Sequence, residues 1–335
     1  MEGQIYDTAI IGGGAAGVMA VNRCVLNNDH TIFFPGTGAD KKRSRALWVS
    51  KVENMPGLLE YKKGIEEPNR EMLNWLTESD FGARLLWQKN RGITEIKKTD
   101  DGLFELLDNK GESYLARFVI LCTGVMDVQP LIEGSIEPVF PFANAQWIDY
   151  CLRCDGHHVL KRNAGVIGHD SGAAWVAIML YERYGSPSMT VFTHGEEPKF
   201  SDEVLDLMKL YGIKVKTEKI TKILGPEKPA ALEGFEFSDG SKAAVELCFV
   251  SLGMIVYNEL ARALKAEVDG RGFVVTDAKG ESSVANFFVA GDLRAGIKKQ
   301  IYTAWDSAVD SADEINRRLR AERRNKLIKS KEANL

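Results

Sequence analysis

Apolar positions along the chain fall into two kinds of run. Short, nearly continuous apolar stretches bounded by glycine read as buried strands, and longer stretches with apolar residues three and four apart read as helices. The first pair is YDTAIIGGGAAGVMAVNRCVL, starting at Tyr6: an apolar strand, a glycine turn and a helix. A further strand is predicted in HTIFFPG, and the alternating run SYLARFVILCTG predicts a strand that enters a tight turn at Thr123-Gly124. The proline-bearing stretch DVQPLIEGSIEPVFPF reads as a linker. Beyond it, NAGVIGHDSGAAWVAIMLYERYG repeats the strand-turn-helix pattern, and a strand follows in SMTVFTHG. A helix over about 201–211 and strands in GIKVKTEKI, GFEFSDG and VELCFVSLG complete a second α/β unit. SVANFFVAGDL is a buried strand closing on Asp292, and the last forty or so residues form a helix that ends strongly basic.

The chain has 335 residues, enough for two domains of about 100 to 200 residues each. No apolar run reaches the roughly 18 residues of a membrane span. MEGQIYD has neither the basic region nor the cleavage site of a secretory leader, so the expected location is cytoplasmic. A net charge of −4 argues against general nucleic-acid binding. Of the five cysteines, Cys24, Cys122 and Cys248 stand in apolar contexts and read as core residues. Cys151 and Cys154, in CLRC, read as a redox-active or metal-binding pair. A zinc site needs further ligands at matching spacing; His157 and His158 lie near, but no second CxxC or HxxxH exists, so no metal is expected.

Gly12, Gly14 and Gly17 have GxGxxG spacing in the strand-turn-helix context that gives the motif meaning. Such glycines make a tight turn, let backbone approach a pyrophosphate and allow close helix packing, while the helix N-terminus favours the phosphate charge. About 20 residues on, where an acidic residue usually holds a ribose, Pro35 and Gly36 stand instead.

Five motifs in order, GxGxxG, VENMPG (Val52 to Gly57), CTG (Cys122 to Gly124), CLRCDG (Cys151 to Gly156) and FVAGD (Phe288 to Asp292), resemble the low-molecular-weight thioredoxin reductase family. The resemblance covers nearly the whole chain. It implies an α/β fold of two Rossmann-like dinucleotide-binding domains, the second inserted in the first: a discontinuous FAD domain of residues 1–125 and 254–335, and an inserted NAD(P)-type domain of residues 126–253. It also implies that Gly12, Gly14 and Gly17 line the FAD pyrophosphate, with Thr123-Gly124 and Gly291 in the matching turns. Asn54 approaches the flavin, Asp292 bonds the ribityl chain, and Lys299-Gln300-Ile301 abuts the isoalloxazine pyrimidine. By the same resemblance Cys154 faces the flavin and Cys151 attacks the disulfide of a thioredoxin-like protein. Asp155 is either the acid or base that moves the thiol proton, a helix cap, or both.

The family pattern fails in several places. In GVIGHDSGAAW, Asp170 replaces the glycine that lets backbone touch the nicotinamide pyrophosphate, and an anion there repels phosphate by about 1 kcal/mol or more. Where the family carries cations for the 2′-phosphate of NADPH, this chain reads His194-Gly195-Glu196-Glu197. In the same superfamily, ferredoxin-dependent and diflavin-linked members keep the domain without the nucleotide, and this sequence looks more like those. The basic run with Arg43 and Arg45, together with Tyr302 and Trp305, either contacts a second flavin or another donor, or is a solvated loop with core or interface aromatics. Trp48 and Trp175 are weaker candidates for that surface. His157 and His158 stand where the family has aromatics and are either proton relays or surface groups. The basic C-terminal helix either steers a ferredoxin or is a solvated tail.

These readings lead to one expectation: a homodimeric FAD-dependent dithiol-disulfide oxidoreductase whose electrons come from ferredoxin or a second FAD, not from NADPH. An NADH-dependent enzyme and a non-enzymatic flavin redox sensor are the alternatives.

Overall fold

The computed structural model describes residues 4–45 and 49–332, so Trp48 lies outside the described residues. The chain forms two compact units, one of Met1–Leu47, Ile65–Val125 and Val256–Leu335, the other of Trp48–Gly64 and Met126–Ile255. The sequence expectation placed residues 48–64 with the flavin domain and the return crossing at residue 254; in this division the segment groups with the second unit, and the chain returns at Val256.

The first unit opens with β1 (Ile5–Ile11), α1 (Ala15–Leu26), β2 (Thr31–Phe34) and α2 (Gly38–Lys42). After α3 (Glu66–Glu78) come β3 (Leu85–Trp87), β4 (Ile93–Lys98), β5 (Phe104–Asp108) and β6 (Ser113–Leu121). β7 (Val125–Asp127) leads into α4 (Phe140–Asn144), β8 (Ile148–Asp149), α5 (Leu152–Asp155), β9 (Ala164–Ile167), α6 (Ser171–Tyr184) and β10 (Met189–Phe192). The second unit continues through α7 (Asp202–Leu210), β11 (Lys214–Lys216), β12 (Ile220–Leu224), β13 (Gly234–Phe237), β14 (Lys242–Ala244) and β15 (Leu247–Val250). β16 (Met254–Val256), α8 (Glu259–Ala263), β17 (Phe287–Val289) and the long α9 (Ile301–Glu332) follow.

In the first unit the strand order is β3-β2-β1-β6-β5-β4, with β17 also on β6. β1, β2, β3, β6 and β17 pair in parallel, which explains their continuous apolar runs: a parallel sheet is covered on both faces. One face packs against α1, α3 and α9. On α9 the core positions Ala304, Ala308, Ala312, Ile315 and Leu319 recur at helical spacing, and the alanines let its backbone come close to α1. From Glu322 to Glu332 every residue of α9 is exposed.

The second unit has a parallel sheet of order β11-β10-β9-β15-β8 and a separate antiparallel sheet of β12, β13 and β14. Its core gathers around α6, with Trp175 packed against it, so that indole belongs with the core of this unit. The stretch read as a linker is folded: it holds β7, a single 3-10 turn and α4. The basic run, read either as a donor contact or as a solvated loop, also begins as structure. Thr37 and Asp40 form a reciprocal capping box at the start of α2, which carries Lys41 and Lys42.

Leu319 is fully buried on α9 and Leu327, two turns later, is 63% exposed. Leu319→Ala is expected to lower the urea unfolding free energy by about 2–5 kcal/mol and Leu327→Ala to change it by less than about 0.5 kcal/mol. Equal effects would contradict the packing described for α9.

Candidate functional site: two helix N-termini and a disulfide

In the first unit, β1 runs into the glycine turn. Gly12 has φ +113°, and a Cβ there would lie 2.3 Å from the Cys122 carbonyl oxygen; at Gly17 it would lie 1.8 Å from the Gly12 oxygen. Neither position accepts a side chain. Gly14 is different, because nothing lies within 4 Å of where its Cβ would be. It is the N-cap of α1, and no side chain caps that helix. The N–H groups of the first turn are left to an external acceptor, and the open cradle at Gly14 fits a pyrophosphate.

Other predicted residues assemble nearby in the same unit. The Gly291 N–H donates to Ser307 Oγ at 3.0 Å, and a Cβ on Gly291 would stand 2.7 Å from that of Ala16, which sets the Asp292 turn against the start of α1. Asp292 faces Arg45 at 3.6 Å. The Arg43 carbonyl accepts the Tyr257 hydroxyl at 2.7 Å, and its guanidinium lies over the Tyr257 ring. Thr123 Oγ1 donates to the Tyr257 carbonyl at 2.7 Å, and Gly124 continues the turn. Lys299 donates to the Arg294 carbonyl and lies 4.0 Å above the Phe273 ring; burial brings its pKa down to about 8. Gln300 is buried and bonds the Lys299 carbonyl through its own amide, Ile301 opens α9, Tyr302 is exposed and Trp305 is half-buried.

In the second unit, Cys151 and Cys154 form a disulfide with Cα atoms 5.2 Å apart. Cys151 is the N-cap of α5, and the Cys154 N–H donates to Cys151 Sγ at 3.1 Å. That bond favours negative charge on the Cys151 sulfur once the pair is reduced. Asp155 is buried, and Asn54 belongs to this unit as well. Cys24, Cys122 and Cys248 are fully enclosed, and burial pushes all three thiols far up, as expected of inert core residues.

α6 begins differently from α1. Asp170 is its N-cap, and Asp170 Oδ1 accepts the Ala173 N–H at 2.9 Å. The segment after β10 crosses the same helix end: the Lys199 N–H donates to the His169 carbonyl at 2.7 Å, and Ser171 Oγ accepts the Ser201 N–H at 2.9 Å. His194 is also committed. Its Nδ1 accepts the Ile220 N–H at 3.1 Å and its Nε2 donates to the Leu131 carbonyl at 3.1 Å, while burial lowers its pKa, so it is neutral. Glu196 and Glu197 are exposed.

Two residues absent from the sequence reading join the second unit's polar centre. Glu53 meets both His157 and His158, and Asp149 meets His158. Glu53 stands inside the quoted VENMPG motif, yet no spacing rule connects it with a histidine 104 residues away.

A family model described as pyridine nucleotide-disulphide oxidoreductase matches residues 6–312. The chain belongs to that family, and it is a thioredoxin reductase-like flavin disulfide oxidoreductase. It is 25% identical over 304 residues to a thioredoxin reductase of Treponema pallidum (strain Nichols), covering 89% of this chain and 92% of that one. It is 27% identical over 313 residues to one of Mycoplasma genitalium, covering 91% of this chain and 92% of the other. The putative thioredoxin reductase TrxB of Bacillus anthracis shares the fold, with a TM-score of 0.78 at 22% identity over 95% of this chain and 99% of that one. Among the described residues no helix is long and apolar enough to cross a membrane.

After mild reduction, iodoacetamide near neutral pH is expected to label Cys151 before Cys154, as read by peptide mass mapping. Preferential labelling of Cys154 would contradict the thiolate assignment.

Proposed function

We infer that this enzyme reduces the disulfide of a thioredoxin-like protein through Cys151 and Cys154, with electrons that enter from a donor other than NADPH. The relatives' printed names, thioredoxin reductase, support the substrate class. The N-terminus of α6 supports the donor: Asp170 already takes the Ala173 N–H that a pyrophosphate would use, and the chain around Lys199 and Ser201 bonds the same turn. A bound nucleotide would have to displace that carboxylate or share the site with it. The uncharged His194 and the exposed Glu196 and Glu197 offer no cation to a 2′-phosphate. An acidic residue at that strand end suits the 2′-hydroxyl of NADH, but the Asp170 cap opposes either nucleotide equally.

FAD, when bound, would supply two electrons to the disulfide, and Gly14 would line its pyrophosphate cradle. The residues then act in sequence. The Cys151 thiolate attacks one sulfur of the substrate disulfide, forming a mixed disulfide and releasing the substrate's other thiolate. Cys154 attacks the Cys151 sulfur, restores the internal disulfide and releases the substrate dithiol. Asp155, following Cys154 directly, moves the thiol proton. Lys299, Gln300 and Asp292 would contact the flavin in the first unit, and Arg43, Arg45, Tyr302 and Trp305 would offer a surface for a second flavin there. The exposed basic end of α9, with Arg323, Arg324, Lys326 and Lys329, suits an acidic carrier such as ferredoxin. The working form is a homodimer, as in the resembled family.

Anaerobic reduction tests this. Stoichiometric NADPH or NADH is expected to leave the flavin oxidised over minutes, whereas reduced ferredoxin or dithionite bleaches it and opens Cys151–Cys154. Rapid bleaching by NADPH would overturn the donor assignment. Cys151→Ser is expected to abolish thioredoxin reduction; if the chemically reduced wild type also reduces no thioredoxin, the chain is a redox sensor instead.

A further inference from the structure

We propose that Glu53, His157 and His158 form a binding site for a divalent transition-metal ion of zinc type, with Asp149 holding His158 in register. The two histidines stand side by side in the 3-10 turn Gly156–Val159 that follows α5, with ring centroids 4.4 Å apart. Both Nε2 atoms converge on one oxygen, Glu53 Oε2, at 2.8 Å from His157 and 2.9 Å from His158. One ligand atom from each of the three residues lies within 4.8 Å of the other two. A tetrahedral ion with bonds of about 2.1 Å needs its ligand atoms about 3.4 Å apart, so the Glu53 oxygen has to draw back from each imidazole nitrogen by roughly half an ångström. The Glu53 side chain is 32% exposed and has the freedom to do so.

The second observation is the support behind His158. Its Nδ1 stands 2.9 Å from Asp149 Oδ2, and Asp149 is buried, with only 3% of its surface exposed. A metal-bound imidazole typically donates its other ring N–H to such a carboxylate, which fixes the tautomer and leaves Nε2 free to ligate. Here Asp149 supports the ring from behind while Nε2 bonds Glu53 Oε2, so an ion entering between them would displace the Nε2 proton. The mixed nitrogen and oxygen donors suit zinc, cobalt or nickel rather than calcium or magnesium.

Three protein ligands leave one position open. Glu53, His157 and His158 line a pocket of about 290 Å³, with Lys51 and Arg162 also on its wall, so water or a small anion can complete the coordination. An ion there would tie the segment 48–64 to the turn that follows the disulfide. The sequence expectation of no metal rested on cysteine and histidine spacing, which cannot see a glutamate brought from so far away in the chain.

The test uses the untagged, flavin-loaded full chain, stripped of metal and with Cys151–Cys154 oxidised so that no thiolate competes. Zn²⁺ is titrated calorimetrically and against a chromophoric chelator. One site per chain of micromolar affinity or better is expected. Asp149→Asn should weaken it by about 10- to 100-fold, and Glu53→Gln and His157→Gln by more. His157 is an exposed residue, so that variant should keep its flavin content and melting curve, which separates lost ligation from lost fold. No saturable uptake at millimolar Zn²⁺, or tight binding that Glu53→Gln and His157→Gln leave unchanged, would overturn the proposal.

Discussion

An α-helix leaves its first backbone N–H groups without an internal partner, and what satisfies them decides what the helix can bind. The hydrogen bond from the Ala173 N–H to the Asp170 carboxylate is therefore the contact on which the reading of this enzyme depends. Each unit places a helix directly after a parallel strand, as a dinucleotide fold requires. At α1 the capping position is Gly14, with open space at its missing side chain; at α6 it is Asp170, which supplies its own anion. Two similar turns in one chain thus differ at the capping position: the first leaves its N–H groups open to a ligand, and the second is closed by the protein's own carboxylate.

That difference separates the two jobs of the second unit. Its sheet and the apolar face of α6 build a core that needs no nucleotide, and the same unit carries the disulfide on α5. Under the proposed reading the fold needs no nucleotide there, because the helix end is satisfied by Asp170 and by the chain at Lys199 and Ser201. Disulfide exchange requires a thiolate, a proton carrier and a partner. In the proposed mechanism Cys151 with its N–H donor and the buried Asp155 supply the first two within the unit.

Much of this was legible in the sequence where chemistry is local. The glycine turns, the strands in them, CLRCDG and the closing strand before Asp292 stand where periodicity and motif spacing placed them. Asp170 was read as an obstacle to phosphate; its role as a cap required knowing that α6 starts at Ser171. The capping box of Thr37 and Asp40 was readable from spacing, yet the basic residues beyond it read as either a donor contact or a solvated loop. What the sequence could not supply is long-range. Nothing local groups residues 48–64 with the second unit, brings Glu53 to His157 and His158, or sets Arg45 opposite Asp292.

Closure of α6 to nucleotides is testable by equilibrium binding, without reference to electron flow. Isothermal titration of the oxidised, flavin-loaded enzyme with NADP⁺ and NAD⁺ should give no saturable heat up to millimolar ligand. Asp170→Gly alone should restore little NADP⁺ binding, since neutral His194 and the carboxylates of Glu196 and Glu197 still face the 2′-phosphate. Micromolar binding of either nucleotide to the wild type would contradict the account.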